Sequence, residues 1–263
     1  MIGSNHVYFT SMGTEGGALD SFGREHQMET APENCNDPRT DLVHRFFKGT
    51  ESTYDAMVHY ATFGIDGRWK RRIVDLLPHA PKRILDLACG TGISTLAIAR
   101  RFPHCRVIGV ELRAEYLDIA RRKVQQLGVK NVEFVLSRAE DYRSSEPFDA
   151  VVSSYLAKYA DLARLIPLSK DLLKAGGVVV MHDFSFPPKA YLVPLFRLYF
   201  KGLQQVCNVF FPSWKEIAYG LPKLIESTRW IPEVTEALRG SEFQDIRLEY
   251  LTAYGAAVVT ATK

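Results

Sequence analysis

The chain has 263 residues, 46% hydrophobic and 24% charged, which is enough to bury one sizeable core and points to one large domain with appendages. A formal net charge of +3 is too small for the dense basic face that a nucleic-acid backbone demands, so no nucleic-acid partner is expected. The four cysteines, Cys35, Cys89, Cys105 and Cys207, show no CxxC spacing and no histidine at ligand distance, which argues against a disulfide framework or a bound metal and fits a reducing cytoplasm.

Residues 1–40 are rich in Gly, Ser, Thr, Glu and Asn and lack apolar periodicity, so they read as a flexible leader in which Met28 is a second candidate start. They contain no apolar stretch of the secretory kind. Nowhere is there a run of about 18 uncharged apolar residues, so the protein is expected to be cytoplasmic and at most peripheral to a membrane. From Leu42 the texture changes: LVHRFF, TYDAMVHYATFG and RWKRRIVDLL predict a helical cap over 41–80. The basic clusters Lys70-Arg71-Arg72 and Arg121-Arg122-Lys123 read as solvated helix faces.

From Lys82 strand and helix alternate. RILDLA predicts a buried strand and GISTLAIARRF a helix; VIGVEL, VEFVLSRA and FDAVVSSYL predict further strands, with AEYLDIARRKVQQLG a helix between the first two. LARLIPLSKDLLKAGG predicts a helix stopped by Gly176-Gly177, and VVVMHDFS the next strand. Short aliphatic runs separated by helices indicate a parallel sheet built by right-handed crossovers. The repetition breaks over 187–235, where AYLVPLFRLYFKGLQQVCNVFF and EIAYGLPKLIES predict a helical lid or insert. FQDIRLEYL and GAAVVTATK then form a hairpin about Ala253-Tyr254-Gly255. The fold expected is α/β, a seven-stranded Rossmann-like sheet, mostly parallel, closed by a C-terminal antiparallel hairpin.

The stretch RILDLACGTGIS carries the chemistry. A pyrophosphate turn needs G-x-G-x-x-G, but Gly90 and Gly92 are followed by Thr95 where the third glycine belongs, and no Gly-Lys-Ser/Thr follows. Asp86 precedes the turn, placed to organise the loop or meet a cationic ligand. Gly90 and Gly92 clear side chains from where a ligand must approach the backbone. Glu111 ends the second strand, placed to accept both hydroxyls of a ribose. A nucleoside with a sulfonium and an amino-acid tail but no phosphate suits this set, namely S-adenosylmethionine, with S-adenosylhomocysteine as the product.

DLACGTG, GVEL, the segment through Arg138-Ala139, FDAVVSSY and LLKAGGVVVMHDFS resemble, in order and spacing, the motifs of class I S-adenosylmethionine-dependent methyltransferases over residues 46–263. More narrowly, FFKGTESTYDAMVHYATFGIDGRWKR is similar to the opening segment of the ubiquinone/menaquinone C-methyltransferases (UbiE-like). The match includes Phe47, Tyr54, Asp55, Met57, Phe63, Gly64, Ile65, Trp69 and Lys70. Ala88, where most class I enzymes have glycine, follows that family, as do HDFSFP, LIESTRWIP and EYLTAYGAAVVTATK. The resemblance implies methylation of a ring carbon on a lipophilic hydroquinone. It implies donor contacts at Thr91, Glu111, Arg138, Ala139 and Ser154, with Ala88 and Leu112 beside them and Tyr54 covering donor or acceptor. Two positions depart from the family: Arg138 stands where it has Asn, and LAKY (Leu156–Tyr159) replaces Gly-Leu-Arg-Asn, so that Lys158 keeps the charge but not the fork of arginine.

Methyl transfer to an aromatic carbon needs positioning, a base for a neighbouring phenol and a cation for the phenolate. His182 or Asp183, ending the fifth strand, is expected to be the base, and alternation lets only one face the acceptor. Lys158 is expected to stabilise negative charge and Tyr155 to close over the methyl group. His59 is a weaker candidate, read as packing, and Cys89 is read as a small filler rather than a nucleophile. The insert, with Arg197 and Lys201 on one face, reads as a lid or homodimer contact, or as a greasy surface touching a polyprenyl tail or membrane. Two alternatives stay open: an O- or N-methyltransferase of another small molecule, and a donor-binding assembly subunit without turnover.

Overall fold

A computed structural model describes residues 37–263; of the leader expected over 1–40, residues 1–36, with Met28 and Cys35, lie outside the described residues. Pro38–Thr40, assigned to that leader from the sequence, instead open the first helix, α1 (Pro38–Phe47). Its start has local causes: Pro38 needs no amide partner in the first turn, and the Asp37 carboxylate accepts the Arg39 amide at 2.9 Å. Helices α2 (Tyr54–Ala61) and α3 (Asp66–Asp75) complete the cap.

The alternating segment forms β1 (Arg83–Leu87), α4 (Ile93–Arg101), β2 (Arg106–Glu111), α5 (Ala114–Gln126), β3 (Val132–Leu136), β4 (Phe148–Ser154), α6 (Leu162–Leu172) and β5 (Leu173–Phe184). After the insert helices α7 (Val193–Phe210), α8 (Lys215–Ser227) and α9 (Trp230–Gly240) come β6 (Gln244–Leu251) and β7 (Ala256–Thr262). The seven strands lie in the order β3-β2-β1-β4-β5-β7-β6, and β7 alone runs opposite to the other six. This is the mostly parallel sheet with an antiparallel C-terminal pair that the sequence predicts.

The central strands are apolar on both faces because both are covered. Leu85, Leu87, Val151 and Met181 face α6 and α9 in one layer, with Ile166, Trp230 and Leu238. Their neighbours Ile84, Val152 and Val180 face the other way, onto Trp69 and Ile73 of α3 and Ile98 of α4. A third cluster, Phe46, Met57, Tyr159, Trp214 and Ile217, joins the cap to the insert.

Two local expectations are corrected. The strand expected to run through Arg138-Ala139 stops at Leu136, and Ala139–Asp141 make a tight 3₁₀ turn. Gly176-Gly177 does not stop α6, which ends at Leu172; the pair lies in β5 and forms a bulge. Phe148 pairs with Leu173 but Ala150 with Val178, so extra residues must loop out. Gly176 turns with φ of +74°, and a Cβ on Gly177 would stand 2.9 Å from the Lys174 carbonyl oxygen. Lys263 clamps the bulge through its carbonyl to the Gly176 amide at 2.9 Å and its amide to the Gly177 carbonyl at 2.8 Å.

Candidate active site

Strand order reverses about β1, with β2 on one side and β4 on the other, and such a switch point opens a crevice at the carboxyl ends of the strands. Two adjoining cavities occupy it. The larger, about 110 Å³, has Glu111 and Leu112 from the end of β2, Arg138 and Ala139 from beyond β3, Ala88 and Gly90 from the glycine loop, and Tyr54 from α2 in its walls. The smaller, about 30 Å³, shares Tyr54, Ala88, Gly90, Ser154 and Tyr155 and adds Thr91, Asp66 and Lys70.

The glycine loop is held from beneath. Asp86 is buried and accepts the Thr95 hydroxyl at 2.6 Å, pinning the first turn of α4; burial pushes its carboxyl up to about 6. Gly92, φ +82°, caps α4 so closely that an added Cβ would stand 3.0 Å from the Ala120 methyl of α5. Neither Asp86 nor Gly92 lines a cavity; both shape the loop. Gly90 and Ala88 line both, and an added Cβ on Gly90 would meet nothing within 4 Å, so the loop presents bare backbone there.

The Glu111 carboxylate crosses to this loop. It accepts the Gly90 amide at 2.9 Å and the Arg113 amide at 3.0 Å, and burial raises its pKa. Two of about four acceptor positions are thus used, which leaves capacity at the cavity wall for hydroxyl donors. The Arg138 guanidinium is drawn to Asp37 at 2.6 Å. Thr91 donates its hydroxyl to Asp55 at 2.5 Å, and Lys123 contacts Asp55 as well as the Thr91 carbonyl, at 3.0 Å, tying loop, α2 and α5 together. Tyr54 packs its ring 5.3 Å from Tyr116 and 6.0 Å from Trp214.

At the ends of β4 and β5 the side chains are arranged differently from expectation. Tyr155 stands at the junction of the cavities with φ of +67°, stacked on Phe184 at 4.7 Å, its hydroxyl donated to Asp66 at 2.5 Å. His182 and Asp183 are both fully buried and line neither cavity, because β5 is covered on both faces. His182 Nδ1 lies 2.9 Å from the Ser154 hydroxyl; burial, with Lys70 and Lys158 near, holds the imidazole well below its ordinary pKa and so uncharged. Asp183 accepts the Phe184 amide at 2.7 Å and the Lys158 amide at 3.2 Å, and its carboxylate is in contact with the Lys158 ammonium. Lys158 is therefore turned inward and lines neither cavity. Neither member of the expected base pair, nor the expected cation, faces the crevice. They support its floor.

Sequence reasoning missed the charged pair that does face it. Lys70, expected on a solvated face, is only 7% exposed and Asp66 only 6%. Lys70 donates to the Ser154 hydroxyl, lies 4.3 Å from the centre of the Tyr155 ring and stands 3.7 Å from Asp66. Burial lowers its pKa, while Asp66 and Asp86 act in the opposite sense. A signal was available: Asp66, Trp69, Lys70, Ile73 and Val74 follow helical spacing and make up the buried face of α3, so the two charges sit on the apolar stripe. Cys89 lines the smaller cavity with its thiol pushed up by burial. Among the described residues no cluster of three or more His, Cys, Asp or Glu could hold a metal.

Across α2 lies an apolar groove of about 310 Å³ between α2 and α7, lined by Met57, Tyr60, Phe63, Leu198, Leu203 and Val206 among others. Among the described residues no helix is long and apolar enough to cross a membrane.

A sequence profile of the ubiE/COQ5 methyltransferase family matches residues 33–263. A demethylmenaquinone methyltransferase of Thermus thermophilus is 34% identical over 210 residues, 78% of this chain and 94% of that one. The ubiquinone/menaquinone biosynthesis C-methyltransferase of Geotalea daltonii is 26% identical over 228 residues, 85% of this chain and 97% of that one. Among solved structures, geranyl diphosphate C-methyltransferase from Streptomyces coelicolor is similar in fold, with a TM-score of 0.55 at 18% identity over 74% of this chain and 77% of that one. Phosphoethanolamine N-methyltransferase 2 of Haemonchus contortus gives the same TM-score, 0.55, at 18% identity, and here the match spans 74% of this chain but only 52% of that one.

Proposed function

The chain belongs to the ubiE/COQ5 methyltransferase family, and from that premise we propose that it transfers a methyl group from S-adenosylmethionine to a ring carbon of a lipophilic quinol. The observation that carries this reading is the placement of α2 between two kinds of space. Tyr54 and Val58 border the cavity whose wall carries Asp66 and Lys70, while Met57, Tyr60 and Ala61 border the apolar groove, whose wall carries no charged side chain. An amphipathic acceptor with a polar ring and an apolar tail suits such a divided site. The relatives named as demethylmenaquinone methyltransferases support a quinol of this kind.

The donor's fit rests on the walls. Glu111 keeps acceptors for the ribose hydroxyls, Val110, Leu112 and Ala139 offer an apolar slot for the base, and Gly90 leaves backbone accessible. When bound, the donor supplies an electrophilic methyl group on a positively charged sulfur. The protein's own part is alignment: Tyr155, locked by Asp66 and Phe184, bounds both cavities and limits where the acceptor ring can lie. His182 acts through Ser154 as a positioning residue, and the Lys158–Asp183 pair fixes the turn that carries Tyr155. Exposed Leu195, Leu198, Val209 and Phe210 on α7 support peripheral contact with the bilayer that would hold such an acceptor.

The test is incubation of the protein with methyl-labelled donor and a quinone-containing lipid extract, followed by mass analysis. A quinone heavier by one labelled methyl on carbon is expected. Label confined to water-soluble products, or on oxygen or nitrogen, overturns the acceptor assignment; tight donor binding without any transfer would leave only a donor-binding subunit.

A further inference from the structure

We propose that Asp66 and Lys70 form the subsite for the amino-acid end of the methyl donor, Lys70 toward its carboxylate and Asp66 toward its ammonium. The inference rests on the donor reading above and extends it to residues of the cap. The larger cavity, where Glu111 stands, continues past Ala88, Gly90 and Ser154 into the smaller one, and the charged groups of the smaller cavity's wall are Asp66 and Lys70. A ligand whose ribose lies at Glu111 and whose sulfur lies near Gly90 directs its tail there.

Chemistry selects the tail. Both side chains are more than nine-tenths buried, yet they stand 3.7 Å apart, each held by a different neighbour: Asp66 by the Tyr155 hydroxyl and Lys70 by the Ser154 hydroxyl. Lys70 uses one of three donors on Ser154, and Asp66 keeps acceptor positions beyond the one taken by Tyr155. Burying two charges this loosely paired is costly unless further partners complete them. A phosphate would find only one cation here and an opposing carboxylate; a zwitterion finds a partner for each charge. The α-amino-acid end of S-adenosylmethionine is such a zwitterion. His182, buried behind Ser154 at 2.9 Å, fixes the hydroxyl that orients Lys70.

Calorimetric titration of the full chain with two nucleosides tests this. S-adenosylhomocysteine carries the whole tail, whereas 5′-methylthioadenosine has the same nucleoside and sulfur but no amino acid. Lys70→Met is expected to weaken S-adenosylhomocysteine by roughly 50-fold, the loss of a charge-assisted contact, while 5′-methylthioadenosine changes less than about twofold. Asp66→Asn is expected to weaken the first by about tenfold and spare the second, and Lys70→Arg to recover part of the loss. Equal weakening of both nucleosides would mean that Lys70 only holds the fold and overturns the subsite. Unchanged S-adenosylhomocysteine affinity with lost turnover would place Lys70 on the acceptor instead and overturns it as well. Binding of neither nucleoside by the unaltered protein overturns the donor reading itself.

Discussion

On the side of the crevice proposed for the donor, Asp86, Gly90, Gly92 and Glu111 come from two consecutive strand–loop units, with the carboxylate of one strand tied to the loop of the other through the Gly90 amide. On the opposite side, Lys70 reaches Ser154 across 84 positions and Ser154 meets His182 across 28. One side is built by backbone in a fixed local order, so a short motif suffices to specify it. The other is built by side chains that only tertiary packing brings together, and their roles follow from burial rather than from motif.

That contrast can be broken most forcefully at the Lys158–Asp183 pair. If it supports the floor of the crevice, Lys158→Met leaves a fully buried carboxylate without its partner and should cost about 3–5 kcal/mol of stability. Urea unfolding measures this, and the double variant Lys158→Met/Asp183→Leu should recover most of it. Unchanged stability with abolished turnover would return Lys158 to a role at the reacting atoms.

Asp86 offers the next largest effect, on the donor side. Burial raises its carboxyl from the ordinary 3.8 to about 6, so between these pH values the folded protein holds a proton that the unfolded chain has released. Its contribution to stability is therefore fully present below about pH 4 and lost as pH rises through about 6, a change of about 3 kcal/mol. Asp86→Asn removes the titration. The unfolding free energy of the native protein should fall relative to that variant by this amount between pH 4 and pH 7; parallel curves would mean that the carboxyl is not desolvated under the loop.

Glu111→Ala sharpens the same side through binding. Loss of two ribose hydrogen bonds should weaken S-adenosylhomocysteine on the order of 100-fold, or about 2.7 kcal/mol. Glu111→Gln, which keeps an acceptor oxygen, should lose less. Equal affinity in Glu111→Ala would show that the ribose lies elsewhere.

How much of this was legible follows from the same difference. Strand and helix order, the strand-end acid Glu111 and the loop could be read from RILDLACGTGIS and VIGVEL because local sequence dictates them. The glycine pair at Gly176-Gly177 misled, since a helix stop and a strand bulge need the same backbone freedom and only the pairing of Phe148 with Leu173 separates them. Lys158 is expected in the crevice because it stands in place of the family's arginine after β4, and His182 because it ends β5, but neither position says which way its side chain turns or who neutralises it. Lys70 is hidden among Lys70-Arg71-Arg72, where Arg71 is exposed and Arg72 reaches Glu249 at 2.7 Å. Helical spacing from Trp69 and Ile73 would have separated the three.

The smallest effect bears on the acceptor side alone, at the groove between α2 and α7. Leu198 and Val206 line it with 66% and 45% of their surface exposed, so replacing both by serine removes little native packing. An apolar tail laid over them would bury on the order of 60 Å² there, worth about 1.5 kcal/mol. The double variant should therefore lose roughly tenfold in kcat/KM for an acceptor with a long prenyl tail. A ring-only acceptor lacks the tail and should keep its rate, as should the affinity for S-adenosylhomocysteine. If long and short acceptors lose equally, the tail lies outside this groove, and the apolar face of α7 serves contact with a surface rather than recognition of the acceptor.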